Sequence, residues 1–181
     1  MSRAFVAAAC AALVLAGTGG AGGARGQDAL SENQIKASIL LNFARYVEWP
    51  ATAFATAEAP LVFCMVGRDS KGFALAGLDG RTVGKRGVVV RAEVRGEEAQ
   101  ACHVAFIADS ESRRVPLVLR AIGQRPVLTV SDIEGFIDAG GTIGLVLTES
   151  RLKFEVNREA LNVHQLKASS HLLRLARNLT Y

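Results

Sequence analysis

Leu61-Val62-Phe63-Cys64-Met65-Val66 is an unbroken apolar run closed by Gly67. A strand with one face in water alternates apolar and polar residues, so this run predicts a strand buried on both faces, as in a parallel sheet covered by helices. Upstream, Ser31-Glu32-Asn33-Gln34 has the capping-box pattern, and Ile35, Ile39, Phe43 and Val47 recur at four-residue steps. They predict a helix over 32–48, stopped at Trp49 because Pro50 disfavours helical backbone in the residue before it. Downstream, strands are expected at 88–94, 101–108 and 126–130, with a helix between the last two that carries the apolar set Val115, Leu117, Val118, Leu119 and Ile122 and closes at Gly123. Ser131-Asp132 is expected to open a short helix through Ile137 that ends at Gly140-Gly141.

The segments 142–147 and 152–156 are separated by so short a connection that they must form an antiparallel hairpin, whereas the earlier strands have longer crossovers compatible with a parallel arrangement. Leu172, Leu175, Ala176 and Leu179 form the stripe of a final helix. The predicted fold is α/β: a single-domain sandwich of helices on a mixed, largely parallel sheet with a C-terminal hairpin and helix.

Met1-Ser2-Arg3, the apolar stretch 4–16 and the small residues 17–26 have the three-part pattern of a secretory leader. Residues 1–26 are read as a signal peptide, cleaved after Ala24 or Gly26, and 27–181 as one exported domain. Cys10 lies inside the apolar stretch and is discarded with it. Half of the 181 residues are hydrophobic, 21% are charged and the mean hydropathy is +0.24, so a core is available and a disordered chain is excluded. The formal charge of +4 falls to +2 without Arg3 and Arg25, and the basic residues are scattered, which argues against a nucleic-acid partner. No apolar stretch after the leader approaches the roughly 20 residues of a membrane span. A periplasmic location follows for a bacterial sequence.

Outside the cytosol the two remaining cysteines, Cys64 and Cys102, favour a disulfide over two buried thiols or a metal site completed by His103. Gly67-Arg68-Asp69-Ser70-Lys71-Gly72 follows a strand but lacks the ending of a phosphate-binding loop, so an ordinary connection is the better reading. Nucleophile-elbow and zinc-protease signatures are absent from the sequence, and His164 and His171, seven apart, read as solvated or hydrogen-bonded histidines. No catalytic residue, cofactor or metal is therefore expected. Trp49, the single tryptophan, is either a core plug or an anchor for a partner. Phe154 and Leu172 are candidates for an apolar association surface, with core packing as the competing role.

Several segments in order, Asn42-Phe43-Ala44-Arg45-Tyr46-Val47-Glu48-Trp49-Pro50, Cys102-His103-Val104-Ala105-Phe106-Ile107, Val127-Leu128-Thr129-Val130-Ser131-Asp132, Gly140-Gly141-Thr142-Ile143, Phe154-Glu155-Val156-Asn157 and Ser169-Ser170-His171-Leu172-Leu173-Arg174-Leu175-Ala176, resemble the motifs of the YfiR-like periplasmic proteins. The resemblance covers about residues 32–178. It implies a regulator without catalytic activity that forms a homodimer and restrains a membrane-bound signalling protein, a diguanylate cyclase in the best-understood case, through its periplasmic domain. It also places Cys64 and Cys102 at one family disulfide. A second family cysteine pair, near the hairpin, has no counterpart, because residues 142–157 contain no Cys. A small-ligand-binding protein of another sensory or uptake system, using the end of the sheet as a cleft, is the alternative.

Overall fold

The structure, a computed structural model, describes residues 24–68, 75–148 and 151–180. Most of the expected leader lies outside the described residues, as do 69–74 of the glycine-flanked connection. In chain order the elements are α1 (Ala24–Tyr46), β1 (Val47–Glu48), β2 (Leu61–Val66), β3 (Thr82–Val83), β4 (Arg86–Val94), β5 (Val104–Ile107), α2 (Val115–Ile122), β6 (Leu128–Ser131), β7 (Ile143–Thr148), β8 (Arg151–Asn157), α3 (Arg158–Val163), β9 (Lys167–Ala168), α4 (Ser170–Leu175) and β10 (Asn178–Thr180).

The main sheet has eight strands in the order β10-β8-β7-β6-β5-β2-β4-β3. From β4 through β2, β5 and β6 to β7 every pairing is parallel. β8 turns back antiparallel on β7, and β3 on β4. The fold is thus α/β with a mixed, largely parallel sheet and a terminal hairpin, as the sequence predicts. β2 explains why its sequence does not alternate. Leu61, Phe63 and Met65 enter a core shared with Leu40, Leu41 and Phe43 of α1, while Val62, Cys64 and Val66 enter a second core with Val118 and Ile122 of α2. Both faces are dry, so both sets of side chains are apolar.

The structure differs from the sequence reading in four places. α1 begins before the capping box, in a stretch that holds Ala24, Arg25, Gln27, Ala29 and Leu30 and no proline, with Gly26 as its one poor helix former. Its buried face includes Lys36, Ala37, Leu40, Leu41, Phe43 and Ala44, so Phe43 of the predicted row is in the core, whereas Ile35 is 50% exposed; a row spaced by four residues drifts about 40° per step around a helix of 3.6 residues per turn, so its first member leaves the core. Residues 96–101 form a 3-10 helix and the strand starts only at Val104. The helix expected after Ser131 is a set of turns, interrupted by Gly135 at φ +72°. The C-terminal stripe is split: α4 ends at Leu175, and Leu179 lies in β10, parallel to β8. An exposed sheet edge offers a row of ladder groups, and that pairing outweighs continued helix.

Those turns fold over Phe136, which is 2% exposed. A Cβ added to Gly141 would overlap the Phe136 ring, so glycine is required there for close approach. Gly141→Ala is expected to destabilise the domain by about 1–3 kcal/mol through overpacking, read as a lower denaturant midpoint at unchanged slope.

Candidate functional site

Trp49 follows β1, which is held against β9 by antiparallel pairing. The ring is half-buried, packs on the α1-side core, and donates from Nε1 to the His103 carbonyl at 3.3 Å. That carbonyl also accepts from Leu128 N in the sheet, so Trp49 is tied to a fixed ladder position. The next segment, 50–59, is alanine-rich, and its one large apolar side chain is Phe54. Phe54 stacks on the His103 imidazole with centroids 4.6 Å apart and 13° between planes, and the Arg86 guanidinium sits 3.5 Å from the Phe54 centroid. Arg86 also donates to the carbonyls of Thr56 and Ala59. A groove of about 720 Å³ opens here, bordered by Arg45, Glu48, Trp49, Phe54, Lys85 and Arg86.

His103 occupies the centre of this cluster. Val62 N donates to Nδ1 at 3.0 Å. A backbone amide can only donate, so Nδ1 is the bare nitrogen, and Nε2 carries the proton and donates to Ala53 O at 3.0 Å. Both ring nitrogens are therefore committed to backbone. Burial holds the imidazolium form below the ordinary His range, the Ala53 carbonyl opposes that, and Arg86 adds to the lowering. A metal on His103 would have to displace a backbone hydrogen bond. Cys64 and Cys102 instead face each other at disulfide distance, Cα–Cα 6.0 Å, inside the α2-side core. Among the described residues no group of three His, Cys, Asp or Glu side chains is placed to hold a metal ion.

A family model described as YfiR/HmsC-like matches residues 33–177. The chain belongs to the YfiR/HmsC-like family. This is a family of periplasmic regulators in cyclic di-GMP signalling, regulatory rather than catalytic. A search of curated proteins matches none. The fold is similar to a conserved domain protein from Vibrio cholerae O1 biovar El Tor, with TM-score 0.51 and 9% identity over 82% of this chain. The chain spans 60% of that protein's length, and at this identity the likeness shows the fold alone.

In this YfiR/HmsC-like chain the other motif residues serve the fold. Thr129 and Thr142, both fully buried, bond to each other, and Thr142 N donates to Thr129 Oγ1 at 3.0 Å. Ser131 Oγ donates to Ile107 O at 2.7 Å and accepts from Ile133 N. Asn157 caps α3 by accepting from Ala160 N at 2.9 Å and donates to Ile137 O. These buried polar groups are satisfied and hold β6, β7 and the turns together. Phe154 is half-buried and packs edge-on against Phe43, centroids 5.0 Å apart. Leu172 is 2% exposed and belongs to the core, which corrects its placement on an association surface; Ser169 caps α4 by accepting from Leu172 N and turns that side chain inward. Trp49 and Phe154 share the α1-side core without an aromatic contact to each other. His164 is buried with Nδ1 2.6 Å from Arg125 O, and His171 lies beside the Tyr46 ring. The sequence reading missed Phe54 and Arg86. An isolated aromatic in an alanine-rich connection was the available signal for the first.

Proposed function

We propose that this protein is a periplasmic regulator that binds the periplasmic domain of a membrane-bound signalling enzyme, a diguanylate cyclase, and restrains it. The family match over residues 33–177 carries the reading. The buried polar motif residues support it, because they are satisfied within the fold instead of converging on an open site. No described helix is long and apolar enough to cross a membrane. In this reading the signalling partner supplies the link to the cytoplasm. Trp49 and Phe154, half-buried and backed by the core, are the proposed anchors, with a homodimer as the acting form.

Restraint requires preferential binding to the inactive cyclase, since a ligand shifts an equilibrium only by its differential affinity. A preference of about 2.7 kcal/mol lowers the active-to-inactive ratio roughly a hundredfold. Deleting the gene should raise cellular cyclic di-GMP. The complete gene should restore it, and a version without residues 4–16 should not, because its product stays in the cytoplasm. Unchanged cyclic di-GMP in the deletion strain, with the cyclase expressed, would exclude this partner.

One observation favours a second reading, a small-ligand-binding protein. The chain enters the sheet at β2, adds β4 on one side and β5 on the other, so the strand order reverses beside β2. Outside the carboxyl ends of these strands lies a cleft of about 880 Å³ bordered by Arg68, Glu93, Arg95, Glu97, Glu111 and Arg114. Open α/β sheets bind ligands at such points. Saturable binding of a metabolite by the isolated protein, lost in Arg68→Ala, would support this reading.

A further inference from the structure

We propose that His103 is a proton-operated latch on the segment that carries Trp49: a proton gained at Nδ1 breaks the bond to the Val62 amide and releases residues 49–59 from the start of β5. The neutral ring is required by the hydrogen bonds. Nδ1 accepts from Val62 N at 3.0 Å while Nε2 lies 3.0 Å from Ala53 O. A second ring proton would point N–H at N–H, so the protonated ring has to leave Val62 N, and the Phe54 stack at 4.6 Å and the Ala53 contact move with it. Breaking the Val62 bond also leaves a backbone donor unpaired at the start of the buried strand β2. The displacement reaches Trp49 along the chain, because the ring's partners Ala53 and Phe54 lie on the segment that Trp49 begins.

The charged groups around the ring do not offset this. Arg86 on β4 caps Phe54 and disfavours a cation at the imidazole. Lys85 on the β3–β4 turn and Arg45 at the end of α1 also border the groove, with Glu48 on β1 as the carboxylate among them. Cys102, next in sequence and bonded to Cys64, does not titrate. The sign follows from the lowered value in the folded protein. The unfolded chain takes up the proton near pH 6.5, the folded chain only below that. The latch is intact above pH 6.5 and is lost as pH falls through the depressed folded value.

Trp49 is the single tryptophan, so its emission reports the segment directly. In the purified protein, taken from about pH 8 to about pH 4, emission should shift to longer wavelength in one step with a midpoint below 6.5, while far-ultraviolet circular dichroism stays constant. His103→Gln should remove the step, and His171→Gln should keep it. A step that persists in His103→Gln overturns the proposal. Should that variant not fold, proton resonances of the wild-type chain decide: the His103 titration and loss of Val62 amide protection must share one midpoint. A ring that titrates without affecting Val62, or stays neutral until the whole domain unfolds, overturns it as well. No partner is needed for this readout, so it stands or falls separately from the regulatory reading.

Discussion

Replacing Cys64 and Cys102 together by alanine should lower the stability of the domain by about 4 kcal/mol. The two residues are 38 apart in sequence, and closing a loop of that length removes about this much chain entropy from the unfolded state. The cysteines tie the middle of β2 to the residue that ends the 3-10 helix before β5, so the bond fixes two adjacent parallel strands whose connection passes through β4. Cys64 is fully buried and Cys102 nearly so, and alanine leaves the surrounding Val62, Ala105 and Ile107 packing largely in place. Loss of the cross-link therefore dominates. Thermal unfolding should show a midpoint lower by about 8–16 °C, and reductant should lower the wild type by a similar amount without affecting the variant. Native protein whose mass equals that of two free thiols, with no response to reductant, would reject the bond.

Lys36→Met should cost about 3 kcal/mol, the second large effect. The Lys36 ammonium lies 2.9 Å from Asp132 Oδ2, with the two side chains 7% and 15% exposed, and the pair joins α1 to the end of β6. Methionine fills a similar volume but leaves the carboxylate without this cation in a poorly hydrated place. Adding Asp132→Asn should recover part of the loss. A double-mutant cycle on denaturant midpoints measures the coupling, and a coupling near zero would show that the pair contributes nothing despite its burial.

The limits of reading this chain are visible in its charges and histidines. Lys36 sits on a helix whose apolar row was legible, yet nothing near it in sequence announces a buried cation, because its partner is 96 residues away. His103 was legible as a neighbour of Cys102 and therefore as a metal candidate; its engagement with Val62 and Ala53 depends on which strands meet across the sheet. Leu172 and Phe154 carried the same apolar signal. Only packing separates them, with Leu172 turned into the core and Phe154 half-buried against Phe43.

By itself the sequence determined the layered α/β class, the doubly buried strand 61–66, the hairpin between β7 and β8, the helix ending at Gly123 and the two cysteines available for pairing. These follow from local periodicity, breakers and count, which report how each short segment meets water. Tertiary structure alone decided that residues 178–180 complete the sheet as β10, that Phe54 and Arg86 join His103 beneath Trp49, and that the Thr129, Ser131, Thr142 and Asn157 motifs serve the fold. Each depends on groups brought together from distant positions by the strand order, and a hydrogen bond or stacked ring is specified by that juxtaposition, which no local pattern encodes.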